Sequence, residues 1–399
     1  MLRSHKITLN PNNKQRTYFA KACGVSRFAY NWALARWKER YETGEKVSES
    51  ALRKELNSIK REQFPWMLEV TKCAPQLAIM DLGEAFNNFF KKKTKFPRFK
   101  KKGIRDSFEL SNDQFKTDGK RLWIPNLGWV RMRESVRFAG KAMKATVSRR
   151  ADTWFVSITV ETDDIPKTSE NQAEAKPHVV GVDVGINALA TLSDGRSIAG
   201  VKAHKHLLPR LRRQSQALSR KVVRSNNHRK AARRLARTHY RISCLREDCL
   251  HKLTTDLVQN YGVIAIEDLN VSGMVKNRRL ARSLMDSSFG ELRRQVEYKA
   301  ALCGRTVVVA PQFFASSKLC SACAVKNDEL RLGARTWQCA SCATVHQRDL
   351  NAAYNLRDYA VQYVADEKEH SIVRIETAGS SPVEACGEPS VATLCEAGR

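Results

Sequence analysis

The spacing of hydrophobic residues changes twice along the first 161 residues of the chain. Residues 2–9 form a short strand pattern, and three helical patterns follow at Pro11–Tyr41, Ser48–Lys60 and about Pro75–Phe90. Alternation of apolar and polar positions returns from Ser107 to Glu161, with turn residues between the short runs. We therefore predict a small antiparallel barrel in residues 1–10 and 91–161, into which residues 11–90 are inserted as helices.

A polar stretch with two prolines, residues 162–177, marks the main boundary of the chain, and we predict a linker there. Beyond it, strand patterns alternate with long helical patterns. The strand patterns lie at Val179–Val182, Leu189–Leu192, Val263–Ile266 and Thr306–Ala310. This order predicts an α/β domain with a ribonuclease-H-like sheet in residues 178–315 and 344–365.

The composition indicates a large polyanionic partner. Among 399 residues, 70 are Lys or Arg and 41 are Asp or Glu, which gives a net charge of +29 and a pI near 9.9. No apolar run approaches the roughly 18 residues of a membrane span, and the N-terminal residues lack the apolar stretch of a signal peptide. We therefore expect a cytoplasmic protein without a membrane partner.

Residues 366–399 are acidic and poor in aromatics, which predicts a disordered tail.

Four cysteines follow the pattern C-x2-C-x15-C-x2-C, at Cys320, Cys323, Cys339 and Cys342. Two close cysteine pairs separated by about fifteen to twenty residues can hold one tetrahedral Zn2+. We predict a structural zinc module in residues 316–343. The other seven cysteines are scattered, and we interpret them as buried thiols.

Three acidic residues end or begin predicted elements of the second half: Asp183 and Glu267 on strands, and Asp349 at a helix start. Clustered carboxylates repel one another unless cations neutralise them, so the trio would bind two Mg2+ or Mn2+ ions. Such ions activate water for phosphodiester hydrolysis. Each residue also has a simpler explanation, because Asp183 could serve a turn, Asp268 could replace Glu267, and Asp349 could be a helix cap.

Several segments together resemble the TnpB family, also called OrfB, of transposon-encoded nucleases related to type V CRISPR effectors. The similar segments are GVDVGINALATL, IAIEDLNVSGMVKNRRLARS, SSKLCSAC, TWQCASCATVHQRDLNAAYN, FPRFKKK and VEACGE. The resemblance implies that Asp183, Glu267 and Asp349 are RuvC catalytic carboxylates and that the cysteines form a zinc ribbon. The family usually has glycine after each cysteine pair, where this chain has Ala324 and Ala343.

The resemblance also implies partners and domain roles. Family members cut double-stranded DNA with a transposon-derived guide RNA. Residues 1–10 and 91–161 would correspond to a WED domain, 11–90 to a REC insertion, and the ribonuclease-H-like segments to a RuvC nuclease domain. A monomer is slightly favoured.

Two basic segments are the predicted nucleic-acid contacts. Residues 205–246 contain fourteen Lys or Arg residues and no acid, on two helical patterns that break near Ser225. The candidates there are Arg212, Arg213, Arg220, Arg229, Arg233 and Arg237. Residues 91–105 contain nine basic residues with Phe96 and Phe99 between them, which favours backbone contact plus base stacking. The candidates there are Lys91, Lys92, Lys93, Arg98 and Lys100. The alternative for the second segment is a flexible linker anchored by two phenylalanines.

Lys72 and Gln76 lie four residues apart near the start of the third helical pattern. Both side chains can donate hydrogen bonds to base edges, and their place is similar to the region with which the family reads DNA. We interpret them as readers of a short motif beside the target. An exposed polar pair without such a role is the alternative.

The leading functional hypothesis is an RNA-guided DNA endonuclease. A transposase that acts directly on DNA could use the same carboxylates to activate a DNA 3'-hydroxyl. A non-catalytic nucleic-acid-binding regulator is the third possibility, and it would be indicated by loss of a carboxylate from the trio.

Overall fold

The computed structural model describes residues 2–162, 178–331 and 333–365. The predicted linker beyond Thr162 and the predicted acidic tail lie outside the described residues. The described chain divides into two compact units, which are residues 2–162 and residues 178–365 without residue 332. In these residues no helix is long and apolar enough to cross a membrane.

The first unit combines three helices with two antiparallel sheets. The helices are α1 (Asn13–Glu42), α2 (Glu49–Gln63) and α3 (Cys73–Phe90). The strands are β1 (Leu2–Leu9), β2 (Asp106–Ser111), β3 (Lys116–Asp118), β4 (Arg121–Ile124), β5 (Gly128–Arg131), β6 (Lys141–Arg150) and β7 (Thr153–Glu161). The sequence therefore predicted the three helices and the first strand to within a few residues.

Capping residues fix where these helices begin. The Asn12 side chain accepts from the Gln15 N–H, and the Gln15 side chain accepts from the Asn12 N–H, so a capping box starts α1. The Ser48 side chain caps α2 by accepting a hydrogen bond from the N–H of Ala51. Within the core, Trp37 of α1 stacks on Phe86 of α3 with ring centroids 4.2 Å apart. Aromatic packing thus joins the first and third helices.

The predicted small barrel is wrong, because the strands form two separate sheets and no closed ring. One sheet has the order β1-β7-β6-β2 and the other β3-β4-β5, joined in the described residues by a single bridge between Leu9 and Met132. Phe19 of α1 packs on Phe108 of β2 at 5.9 Å and on Trp154 of β7 at 5.1 Å. Helices therefore cover the apolar face of the larger sheet, and that face does not curl around a barrel interior.

The second unit is built around a mixed sheet. Its strands are β8 (Val179–Val184), β9 (Ala190–Leu192), β10 (Ser197–Ile198), β11 (Val263–Glu267), β12 (Thr306–Ala310), β13 (Thr336–Gln338) and β14 (Val345–Gln347). Its helices are α4 (Ala203–Ser219), α5 (Asn226–Asn260), α6 (Val271–Val275), α7 (Ala281–Ser287), α8 (Phe289–Leu302) and α9 (Arg348–Ala365). One helix predicted from Leu284 to Cys303 is divided at Ser288, whose φ of 55° interrupts the helical backbone.

The sheet has the order β10-β9-β8-β11-β12, in which β8, β11 and β12 run parallel. Parallel strands end at the same edge of a sheet, and ligands bind at that edge in open α/β sheets. Asp183 lies near the end of β8 and Glu267 is the last residue of β11. The topology therefore brings these two acids to one edge.

Candidate functional site

The register of the sheet makes Asp183 and Glu267 neighbours. Val182 of β8 pairs with Ile266 of β11, and Asp183 and Glu267 are the next residues on these two parallel strands, so they lie at the same level of the sheet. The pKa of Asp183 rises to about 8, first because the side chain is buried and then because Glu267 and Asp349 are negative. Arg348 and Arg335 oppose this rise. The structure therefore brings Glu267 and Asp349 within electrostatic reach of Asp183.

Helix α9, which carries Asp349, packs directly on β8. A Cβ atom on Gly181 would overlap the carbonyl oxygen of Ala353 and lie 2.5 Å from the backbone nitrogen of Arg357. Only glycine permits such a close approach of helix to strand. Because Asp349 is in the first turn of α9, this contact sets its height above the sheet edge.

Glu267 and Asp349 are each held by one protein partner. The Ser316 hydroxyl donates to the Glu267 carboxylate, and burial raises the pKa of Glu267 while this hydrogen bond lowers it. The Arg335 guanidinium lies 3.2 Å and 3.4 Å from the two oxygens of Asp349. Sequence reasoning predicted neither partner.

Asp268 was the alternative to Glu267, and its contacts differ. It pairs with Arg293 of α8, and its backbone N–H donates to Ala310 at 3.1 Å. The acids that raise the pKa of Asp183 are Glu267 and Asp349, and Asp268 is absent from that set. The ion pair of Asp268 with Arg293, together with the electrostatic effect of Glu267 on Asp183, therefore favours Glu267 as the second acid of the cluster.

The carboxylates are less tightly grouped than the cysteines. Among the described residues, the four cysteines are the group of three or more possible ligands whose donor atoms all lie within 4.8 Å of one another. The carboxylate trio does not meet that distance. It is an acidic cluster, with Asp349 drawn toward Arg335, and its donors are hard oxygen ligands of the kind that Mg2+ and Mn2+ prefer.

The cysteine cluster has the geometry of a four-sulfur metal site. The Sγ atoms of Cys320 and Cys342 are 3.5 Å apart, and those of Cys323 and Cys339 are 3.6 Å apart. Four sulfurs at the corners of a tetrahedron around Zn2+, with bonds of about 2.3 Å, would be separated by similar distances. The residues present therefore fit this ion.

The thiols of the cluster differ in their readiness to ionise. The Thr344 hydroxyl, 3.2 Å from the sulfur of Cys342, lowers the pKa of that thiol to about 6. The Val325 N–H favours the thiolate of Cys323, but burial and the neighbouring thiols raise its pKa to about 12. A metal ion would remove this competition, because it neutralises the thiolates together.

Ala324 and Ala343, which stand where the family usually has glycine, adopt φ angles of 59° and 58°. The N–H of Ala324 donates to the carbonyl oxygen of Cys320 at 2.8 Å, and the N–H of Ala343 donates to the carbonyl oxygen of Cys339 at 3.0 Å. Each knuckle therefore keeps the left-handed turn without glycine, at a cost of roughly 1 kcal/mol. His346 closes the module, since its Nε2 lies 3.0 Å from the Cys320 sulfur and its ring packs on Trp337 at 4.8 Å.

The predicted basic helices are present and break where expected. Helix α4 ends at Ser219, and the Ser225 side chain caps α5 by accepting from the His228 N–H. All six predicted arginines of this region are exposed. Five of them have no ion-pair partner among the described residues: Arg212, Arg213, Arg220, Arg229 and Arg233. Buried Leu211, Leu235 and Ile242 join the two helices.

The second basic segment follows α3. Lys91, Lys92, Lys93 and Arg98 are exposed. Lys100 is engaged within the unit, because its ammonium lies 3.9 Å from the centre of the Tyr30 ring and 3.9 Å from Asp81. Phe96 packs edge-on against Phe86 and Phe89 at 5.5 Å and 5.3 Å, and the role of this segment in base stacking stays a prediction.

Lys72 and Gln76 lie at the start of α3, which begins at Cys73. The Lys72 ammonium is 3.5 Å from Asp113, and both of these side chains are more than half exposed. Gln76 is half-buried. The two residues thus share the first turn of a helix, and their role in reading DNA stays a prediction.

The chain matches three family descriptions. Residues 156–278 match the OrfB family of IS605-type elements, described as a probable transposase, and residues 289–356 match a Cas12f1-like TNB domain. Residues 1–46 match a helix-turn-helix domain. In the structure, that last range contains β1 and a single helix, α1, followed by the turn after it.

Curated relatives match along most of their length. The chain is 37% identical over 361 residues to a "Putative RNA-guided DNA endonuclease" of Streptomyces pristinaespiralis, covering 89% of this chain and 88% of that one. It is 33% identical to the "Putative RNA-guided DNA endonuclease InsQ" of Escherichia coli K12, covering 89% and 91%. Among solved structures, CasPhi-2 (Cas12j) bound to crRNA overlaps 90% of this chain and 98% of that chain, at 9% identity and a TM-score of 0.48.

Proposed function

Because the chain belongs to the TnpB (OrfB) family, we propose that it is an RNA-guided DNA endonuclease that cuts double-stranded DNA beside a short flanking motif. The observation that supports this proposal is the pKa of Asp183, which burial raises to about 8 with a further contribution from the nearby negative charges of Glu267 and Asp349. Burial raises the pKa of Asp183 and of Glu267, and carboxylates whose pKa is raised in this way are typical of sites that bind a cation. All three acids are retained, which disfavours a non-catalytic regulator.

Asp183, Glu267 and Asp349 would hold Mg2+ or Mn2+ in a RuvC-type site. The bound cation would supply Lewis acidity and a more acidic water molecule for phosphodiester hydrolysis. The protein contributes orientation: Ser316 directs the Glu267 carboxylate, and Arg335 directs that of Asp349.

The four cysteines would hold Zn2+ in a structural role, because four thiolates leave no open position for a substrate. The residues assigned to this module are 316–343. The nuclease domain would then comprise residues 178–315 and 344–365. In the first unit, 11–90 would be the REC insertion, while 1–10 and 91–161 would be the WED domain in its open-sheet form.

The exposed arginines of α4 and α5 would bind nucleic-acid phosphates. Five of these guanidiniums lack an ion-pair partner in the described part of the chain, so a phosphate backbone is the chemistry that neutralises them. Guide RNA and target DNA are the proposed partners. Lys72 and Gln76 would read the flanking motif, while Lys91, Lys92, Lys93 and Arg98 would contact backbone.

Two measurements test the function together. RNA that copurifies with the full-length protein is sequenced, and the complex is then assayed on DNA that matches the guide segment of that RNA. We expect a transcript from one end of the encoding element and metal-dependent cleavage of the matched DNA. Random cellular RNA, or strand transfer by RNA-free protein, would contradict the proposal and favour a transposase.

A further inference from the structure

Two buried asparagines on α9 face the segment that leads into the cysteine module. Asn351 is 1% exposed and Asn355 is 8% exposed, and residues four apart share one face of a helix. A buried side-chain amide is costly unless its polar atoms are bonded. Their hydrogen bonds therefore define what this face of the helix must contact.

Asn351 brackets the backbone of a metal-binding residue. Its Nδ2 donates to the carbonyl oxygen of Leu319 at 2.6 Å, and its Oδ1 accepts from the N–H of Ser321 at 3.0 Å. These two backbone groups lie on either side of Cys320. One side-chain amide therefore fixes the first cysteine of the cluster against α9.

Asn355 extends the contact toward the carboxylates. Its Nδ2 donates to the Ser316 carbonyl at 2.6 Å and to the Leu319 carbonyl at 2.7 Å. Ser316 is 5% exposed, and its hydroxyl donates to Glu267. A continuous path of hydrogen bonds therefore runs from Glu267 through Ser316 and Asn355 to the helix that carries Asp349.

We propose that Asn351, Asn355 and Ser316 are positioning residues that set the separation of Glu267 from Asp349 and thereby the affinity of the carboxylates for divalent metal. The inference rests on the proposed function for the assignment of these carboxylates to metal. Groups that orient metal ligands typically change metal affinity by about 10- to 100-fold when they are removed.

The hydrogen bonds of Asn351 to the backbone beside Cys320 have a second consequence. Because the same helix is bonded to the residues around Cys320, the cysteine cluster and the carboxylate cluster share one support. Loss of the Asn351 amide should therefore loosen both clusters, whereas loss of the Ser316 hydroxyl should affect the carboxylates alone.

The test measures Mn2+ binding to the RNA-free full-length protein by electron paramagnetic resonance. We expect Ser316→Ala and Asn355→Ala to weaken binding by about tenfold or more. Ser316→Thr keeps the hydroxyl and should stay within about twofold of the wild type. Asn260→Ala is the matched control on α5, because among the described residues that exposed amide bonds only to Asp256, at 2.7 Å.

A second readout follows Zn2+ release to a chelator. Asn351→Ala should release Zn2+ faster and also weaken Mn2+ binding, whereas Ser316→Ala should release Zn2+ at the wild-type rate. Thermal unfolding checks that each variant is folded. Should Asn355→Ala not fold, the comparison of Ser316→Ala with Ser316→Thr decides the matter.

The outcomes separate this inference from the function on which it rests. Asp183→Asn should abolish the Mn2+ site. If it does so while Ser316→Ala and Asn355→Ala bind Mn2+ like the wild type, the positioning role is overturned and the nuclease site stands. If the wild type has no Mn2+ site sensitive to Asp183→Asn, both the proposed site and the positioning role are overturned.

Discussion

Gly181 of β8 lies against the carbonyl oxygen of Ala353 in α9 with no room for a side chain between them. Ala352 and Ala353 are 1% and 0% exposed, so the helix contributes only small residues to this contact. The same helix begins at the end of β14 and carries Asp349 in its first turn. The depth at which α9 sits on the sheet therefore controls where that carboxylate lies.

Gly181→Ala should lift α9 away from β8. Forcing a methyl group into a packed contact of this kind costs about 1–3 kcal/mol, so we expect a lower midpoint in chemical denaturation and a loss of cleavage. Gly290→Ala is the control, because a Cβ atom there meets nothing within 4 Å. That variant should be as stable as the wild type or more so. Equal stability of Gly181→Ala and the wild type would contradict the packing argument.

Glu267→Gln should abolish cleavage, since it removes a negative charge from the acidic cluster while it keeps the shape of the side chain. Asp268→Asn should retain cleavage, because Asp268 pairs with Arg293. We expect a rate loss of at least about a hundredfold for the first variant, of the order seen when groups that stabilise charge at an active site are removed. Guide RNA binding, measured by filter retention, should be unchanged in both. Loss of activity in Asp268→Asn alone would reverse the assignment.

The ionisation of Asp183 should make stability depend on pH in the absence of divalent metal. Its pKa lies near 3.8 when exposed and near 8 in the fold, so the folded state binds the extra proton between these values. This contribution to the free energy of unfolding is present below about pH 4 and is lost as the pH rises through 8. Denaturation of the wild type and of Asp183→Asn across this range measures it, and the variant should lack the decline.

The affinity for Mg2+ should also depend on pH, but it should increase as the pH rises. The cation binds the ionised carboxylate, so its affinity should increase with pH up to about 8 and each binding event should release a proton. Calorimetry in buffers with different ionisation enthalpies counts the protons released. An affinity that does not change between pH 6 and 8 would contradict this prediction.

Ala324→Gly and Ala343→Gly should stabilise the cysteine module. Both alanines have left-handed backbones, and glycine relieves about 1 kcal/mol of strain at each position. We expect Zn2+ to be released roughly fivefold more slowly to a chelator, which is the rate change that 1 kcal/mol allows. Ala322→Gly is the control, because Ala322 lies in the same knuckle without a left-handed φ. It should gain nothing.

Arg212→Ala and Arg233→Ala should weaken guide RNA binding and reduce its dependence on salt. Each phosphate contact that is lost should lower the slope of log affinity against log salt by about one unit. Lys252→Ala is the matched control, because Lys252 on α5 is paired with Asp248 at 2.8 Å. An unchanged slope in the arginine variants would show that these guanidiniums do not contact RNA.

Local chemistry made much of the second unit predictable from sequence. The break between α4 and α5 was predicted near Ser225, whose side chain caps α5, and the strands from Val263 and Thr306 were predicted because they are short apolar runs. The order of parallel strands then placed Asp183 and Glu267 at one edge. These features depend on neighbours in the sequence or on the topology of connections.

The features that the sequence did not predict depend on contacts between distant residues. Alternation identified the strands of the first unit but not which edges pair, so the barrel was expected where two sheets formed. Ser316, Arg335 and the two asparagines of α9 are common residue types, and their partners lie in segments that are distant in the sequence. The contact of Phe96 with Phe86 and Phe89 was likewise not predicted, because nothing in its segment shows that these two residues are close.

The two left-handed alanines also bear on how such modules are found in genomes. Cys320, Cys323, Cys339 and Cys342 keep their arrangement although neither pair is followed by glycine. Both alanines keep the positive φ angle that glycine would adopt more easily, and metal binding can stabilise this conformation in alanine. Searches that demand glycine at these positions would pass over chains of this kind, and a census based on them would be too small.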